Sequence, residues 1–82
     1  MDLTKIFGKY VGEIVRDPNR LTTDWDQVAA NICQDARKHG LPTVRFIKPG
    51  QAVTMDYRQD RLNVYIHKEN DEQWHVKNFR IG

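Results

Sequence analysis

Apolar residues recur at spacings of three and four from Leu3 through Ile6, Phe7, Tyr10, Val11 and Ile14 to Val15, and this stripe predicts a first amphipathic helix. Asp2 is placed to cap its start and Asp17-Pro18-Asn19 to stop it. Gly8 and Gly12 lie within it, each costing about 1 kcal/mol relative to alanine. That cost suggests close approach to another element, with two tolerated glycines as the plainer alternative. Thr22-Thr23-Asp24 offers an N-cap and a first-turn acid for a second helix. Its apolar stripe is Trp25, Val28, Ala29, Ile32, Cys33 and Ala36. Arg37, Lys38 and His39 suit the negative end of its dipole, and Gly40 is a natural residue just past that end.

Beyond Leu41-Pro42 the pattern turns to alternation. Thr43 to Lys48 is a β-rich run closed by the turn signal Pro49-Gly50. Leu62, Val64 and Ile66 alternate with Asn63, Tyr65 and His67, as in a half-buried strand. Lys68 to Gln73 is a polar loop with its turn at Asn70-Asp71, and Trp74 to Ile81 is the last strand. Trp74 and Val76 share one parity while Phe79 and Ile81 share the other, which predicts a bulge near Lys77-Asn78. These elements make an α+β domain, with helices against one face of a three-stranded sheet.

Composition sharpens this only in part. Eighty-two residues make one small domain, able to bury a limited core. The mean hydropathy of −0.74 is polar, yet eight aromatic residues spread along the chain argue against disorder. Thirteen basic residues set against eleven acidic ones leave a net charge of +2, which does not by itself make a nucleic-acid protein. The single cysteine, Cys33, excludes an internal disulfide and, among apolar helix positions, reads as an inert thiol. Residues Met1 to Tyr10 contain no continuous apolar run, so neither a signal peptide nor a membrane span is expected. The expected setting is the cytoplasm if Met1 is the natural start, and secretion if a leader was removed.

The stretch between the first two strands can be read in two ways. By pattern alone Val53, Met55 and Tyr57 alternate with Thr54, Asp56 and Arg58 as in a strand, and Arg58 to Arg61 is the turn of a hairpin into Leu62. Met55 and Tyr57 then point into the core. Alternatively, Val53-Thr-Met-Asp-Tyr-Arg-Gln-Asp-Arg-Leu-Asn-Val64, after Pro49-Gly50, resembles the reactive-site region of the potato inhibitor I family, to which eglin and the barley chymotrypsin inhibitor belong. It is more similar still to the related microbial elastase-inhibitor family, and the likeness runs from about Trp25 to Gly82.

This resemblance implies a mixed sheet whose strands on either side of the stretch run parallel and are joined by an exposed loop. It implies a serine-protease inhibitor of the subtilisin, chymotrypsin or elastase type, with Met55–Asp56 as the reactive bond. Val53 and Thr54 would precede that bond in the enzyme cleft, and Tyr57 and Arg58 would follow it. Such a loop can add to the protease as a strand, and an unbranched Met55 can fill a deep apolar pocket. Affinity then comes from a loop already rigid rather than from area. Arg61 matches one of two arginines that brace the loop in the plant and leech inhibitors, and is placed to hold Thr54 and Asp56. The second position is Asn63, so that brace is weaker or differently made, with Arg80 or Gly82 as candidates. The microbial relatives carry a cysteine pair, one member just before the terminal glycine, where Ile81 stands here.

Residues 1–21 have no counterpart in that motif and read as a helical extension of a 22–82 inhibitor-like domain. The extension serves either to bury apolar area in place of the absent disulfide or to pair two copies, with a monomer expected. Other chemistry is thin. His39, His67 and His75 lack metal-ligand spacing and read as surface histidines. Asp56 and Asp60 have no partner base, and no nucleophile or phosphate-binding motif is present, so neither an enzyme nor a cofactor is expected. Two alternatives stay open. One is a non-inhibitory interaction module of the same fold; the other is a single-stranded nucleic-acid patch of Arg45, Lys48, Arg58 and Arg61 with Tyr57.

Overall fold

The computed structural model describes residues 2–16, 27–50 and 56–82. Asp2 caps the first helix as its position suggests, its carboxylate accepting from the Thr4 and Lys5 amides at 3.1 and 3.4 Å. That helix, α1, covers only Leu3–Phe7, and one 3-10 turn follows at Gly8–Tyr10. The helix expected to reach Val15 is therefore corrected: Ile14–Val15 is a short strand, β1. Gly12 is the reason. Its φ of +90° reverses the chain, so that its amide donates to Val76 and Glu13 accepts from the Val76 amide. The apolar stripe is used only in part, since Phe7, Tyr10 and Val15 are buried while Val11 stays about half exposed.

The second helix, α2, spans Gln27–Lys38 and buries Ala29, Ile32 and Ala36. Its predicted N-cap and Trp25, like Asp17-Pro18-Asn19, lie outside the described residues. Its end is a complete glycine cap. Gly40 has a φ of +78° and donates to the Arg37 carbonyl, while Leu41 donates to that of Ala36 and buries its side chain beside it.

Three longer strands complete the domain: β2 at Thr43–Ile47, β3 at Arg61–Lys68 and β4 at Trp74–Ile81. With β1 they form a four-stranded mixed sheet in the order β1-β4-β3-β2, one strand more than predicted. The β2–β3 pair is parallel, from Thr43 beside Arg61 to Ile47 beside Tyr65, and the other pairs are antiparallel. The hairpin reading has no such parallel pair. Over Leu62 to Tyr65 both edges of β3 are taken, by β2 and by β4, while Val53, Thr54 and Met55 of that reading lie outside the described residues. Residues 48–60 must instead return from the far end of β2 to the start of β3.

Leu62, Val64 and Ile66 project from β3 into one core with Phe7, Tyr10, Val15, Ile32 and Val76. Phe7 is fully buried, its ring stacked on Phe79 with centroids 5.2 Å apart, so the N-terminal segment is built into this core. The bulge appears at the predicted place. Tyr65 pairs with Asn78 and Ile66 with Val76, which leaves Lys77 as the extra residue and lets Val76, Phe79 and Ile81 all face β3's apolar side chains.

Candidate functional site

Alternation along β3 that sends Leu62 and Val64 into the core sends Arg61 and Asn63 to the opposite face. Both are nevertheless more than nine-tenths buried. A guanidinium so far from water needs its donors met, and here the partners come from two remote pieces of backbone. Nε of Arg61 donates to the Gly82 carbonyl at 2.7 Å, and Nη2 donates to the Asp56 carbonyl at 2.6 Å. The Asp56 carboxylate lies 3.7 Å from Nη1 and supplies countercharge. One side chain at the head of β3 therefore ties the residue entering the strand to the end of β4.

Around this tie the packing is close. The Gly82 amide donates back to the Arg61 carbonyl, and Gly82 adopts a φ of +154°. A methyl group on Gly82 would come within 3.3 Å of the Asn63 amide nitrogen and 3.5 Å of the Tyr57 ring. The Asn63 oxygen accepts from Nε of Arg45 on β2 at 3.0 Å. Tyr57 covers Gly82 yet remains 68% exposed. Arg58 grips Asp60 through two parallel bonds of 3.1 and 3.2 Å in the exposed turn before β3, and this bond holds the Asp60 carboxyl below its usual range.

Of the predicted site residues, Asp56, Tyr57, Arg58, Arg61 and Asn63 gather at this end of the sheet, and Val53, Thr54 and Met55 lie outside the described residues. Arg45 was singled out only for a basic patch, yet the parity of β2 places it beside Asn63. Sequence offers Gly82 only as one of two candidate braces, because nothing local links it to a residue 21 positions earlier. The nucleic-acid patch loses its main members to internal contacts: Arg45 to Asn63, Arg58 to Asp60, Arg61 to backbone, and Lys48 to the Trp74 ring at 5.1 Å. Asp60, with its lowered pKa, does not suit an acid-catalyst pair with Asp56.

The histidines need a correction. His75 is not a surface residue but is about nine-tenths buried, because Gly12 folds over it. Its Nδ1 donates to the Gly12 carbonyl and its Nε2 to the Asp71 carboxylate, both at 2.9 Å. Two acceptors call for a doubly protonated ring, and its pKa is raised, first by the Gly12 bond and then by Asp71. Asp71 is correspondingly lowered, chiefly by the same bond. Cys33 is half-buried and its thiol pushed up by burial, as suits an inert group. Among the described residues no group of three or more His, Cys, Asp or Glu is placed to hold a metal, and no helix is long and apolar enough to cross a membrane.

The described residues thus build a small sheet that carries a braced segment at one end. The chain belongs to the peptidase inhibitor I78 family, whose pattern matches residues 17–80. That membership makes it a protein of an inhibitor family rather than an enzyme, with a protease as its implied partner. It supports protease inhibition in general and not the potato inhibitor I family specifically. No curated protein and no solved structure matches the chain.

Proposed function

We propose that the chain inhibits a serine protease of the subtilisin, chymotrypsin or elastase type by offering the segment around Met55–Asp56 as a potato inhibitor I-like, substrate-mimicking loop. One observation carries this reading: the buried Arg61 guanidinium holds the Asp56 carbonyl at 2.6 Å and the Gly82 carbonyl at 2.7 Å. A backbone carbonyl fixed in this way, next to the proposed bond, is what a loop needs to bind without losing entropy. Family membership supports the partner class, and the Tyr57 ring, next after Asp56, is exposed and so accessible to an enzyme.

The test is a panel of subtilisin, chymotrypsin, elastase and trypsin titrated with the protein. Tight inhibition of one of the first three is expected, and Met55→Lys should move the preference to trypsin, whose acidic pocket takes a cation. If all four run unaffected at micromolar protein, the reading fails. If a cysteine or metalloprotease is inhibited instead, the family's activity stands and the serine-protease assignment falls.

A further inference from the structure

The Arg61 tie depends on where Gly82 sits, and Gly82 sits against Asn63. We propose that Arg45 is a positioning residue for the braced segment, acting through Asn63 and Gly82 on the Arg61 guanidinium. The inference rests on reading the Asp56 segment as the protease-facing loop.

Arg45, Asn63 and Arg80 lie side by side across β2, β3 and β4, on the face that also carries Arg61. Asn63 is 5% exposed, so water does not average the orientation of its carboxamide. The two ends of that group differ: the oxygen accepts and the nitrogen donates. Arg45 can only donate, so its Nε, 3.0 Å away, fixes the oxygen on the β2 side. The nitrogen is thereby turned to Gly82, where it lies 3.3 Å from the place a methyl group would occupy. Reversing the carboxamide would set donor against donor at Arg45 and present the oxygen to Gly82. The Asn63 nitrogen therefore acts as a wall behind Gly82, whose carbonyl meets Nε of Arg61 in front. Because the same guanidinium holds Asp56, a shift of Gly82 is passed to the Asp56 carbonyl. Arg45 stands on the strand that leads into residues 48–60, and Arg61 on the strand that leaves them, so the segment is held from both of its anchoring strands.

The test compares Arg45→Ala, Arg45→Lys and Arg61→Ala with the parent chain by two readouts. The first is solvent exchange of the Arg61 Nε–H in the free protein, followed by NMR beside the Val64 amide as a control. Arg45→Ala should speed the Arg61 Nε–H about tenfold, as expected for the weakening of one charge-assisted bond, and leave Val64 unchanged. Arg45→Lys keeps the charge without the planar fork and should fall between the two, and it decides the matter if Arg45→Ala does not fold. The second readout is cleavage of the chain at Met55–Asp56 by an inhibited protease, which Arg45→Ala should accelerate without slowing association. Parent-like exchange and cleavage in both Arg45 variants, with Arg61→Ala altered in each, would overturn the role of Arg45 and leave the inhibitor reading standing. If the parent chain inhibits no serine protease, that reading fails, and Nε–H exchange alone still decides whether Arg45 positions Arg61.

Discussion

A buried cation closes each end of the β3–β4 ladder, and the two are built alike but behave differently. At one end Arg61 bonds a remote carbonyl, that of Gly82, together with Asp56; at the other His75 bonds a remote carbonyl, that of Gly12, together with Asp71. Each fastens a segment that the sheet alone holds weakly. The two side chains differ in kind, since imidazole is the one that changes charge near neutrality. Near neutral pH the charge change therefore falls on the N-terminal attachment, whereas the Asp60 carboxyl at the proposed protease-facing end titrates only in acid.

The largest expected effect removes the apolar anchor of the N-terminal segment, the segment that His75 fastens through Gly12. Phe7→Ala should cost about 3–5 kcal/mol, because a fully buried ring stacked on Phe79 is lost, and denaturant unfolding would measure it. A loss under about 1 kcal/mol would mean that the N-terminal segment is dispensable and that His75 fastens nothing the fold needs.

Next in size is Arg61→Ala, which should cost about 2–3 kcal/mol by stranding two carbonyls that now accept from a charged donor. It should also turn the chain into a substrate cut at Met55–Asp56 by a protease it otherwise inhibits, as gel or mass analysis would show. Unchanged potency and cleavage would remove the brace.

A smaller effect separates the two ends by pH. His75 binds its proton more tightly in the folded state than at its ordinary value near 6.5, so its contribution is whole below that pH and is lost as pH rises through the raised value. Asp71 works in the other sense: its contribution is present above its ordinary value of 3.8 and is lost as pH falls through the lowered one. The ring faces Asp71, Glu69 at 3.8 Å, the edge of His67 and the Gly12 carbonyl, and the two carboxylates reinforce the charged form. Melting temperature should therefore peak near pH 5 and decline above about 6.5, and His75→Gln should flatten the decline. Arg61 Nε–H bonding should not follow that curve. The smallest effect is expected from Arg58→Ala: about half of each partner is exposed, so melting should be unchanged within error.

Much of the scaffold is legible in local pattern. Helix α2 with its Gly40 cap, the bounds of β4 and the Lys77 bulge all follow from periodicity and turn chemistry. The N-terminal segment does not, because the spacing of Phe7, Tyr10 and Val15 suits either a helix or a turn followed by a strand. Only the pairing of Gly12 and Glu13 with Val76, more than sixty residues away, decides between them. The site is legible in the same uneven way. Periodicity alone favoured a hairpin as readily as a crossover, and resemblance supplied the parallel pairing of β2 and β3 that the fold displays. The bonds from Arg61 to Gly82 and from Arg45 to Asn63 are long-range, and no local rule could place them.

Lys77 itself has an outcome of a different kind. It works as a phase-setter, the single residue left out of the ladder so that the last four positions of β4, Asn78 to Ile81, stay in frame with β3. Drawing it into the ladder opposite Tyr65 would act as a structural frameshift: Leu62 would meet Arg80 instead of Ile81, a cation would turn inward, and Gly82 would be carried off the face where Arg61 waits. Such a slip, begun on the solvent side of a strand and far from Asp56, would thus erase the brace as surely as a change in Arg61. Any rearrangement of this sheet that shifts β4 by one residue meets the same penalty.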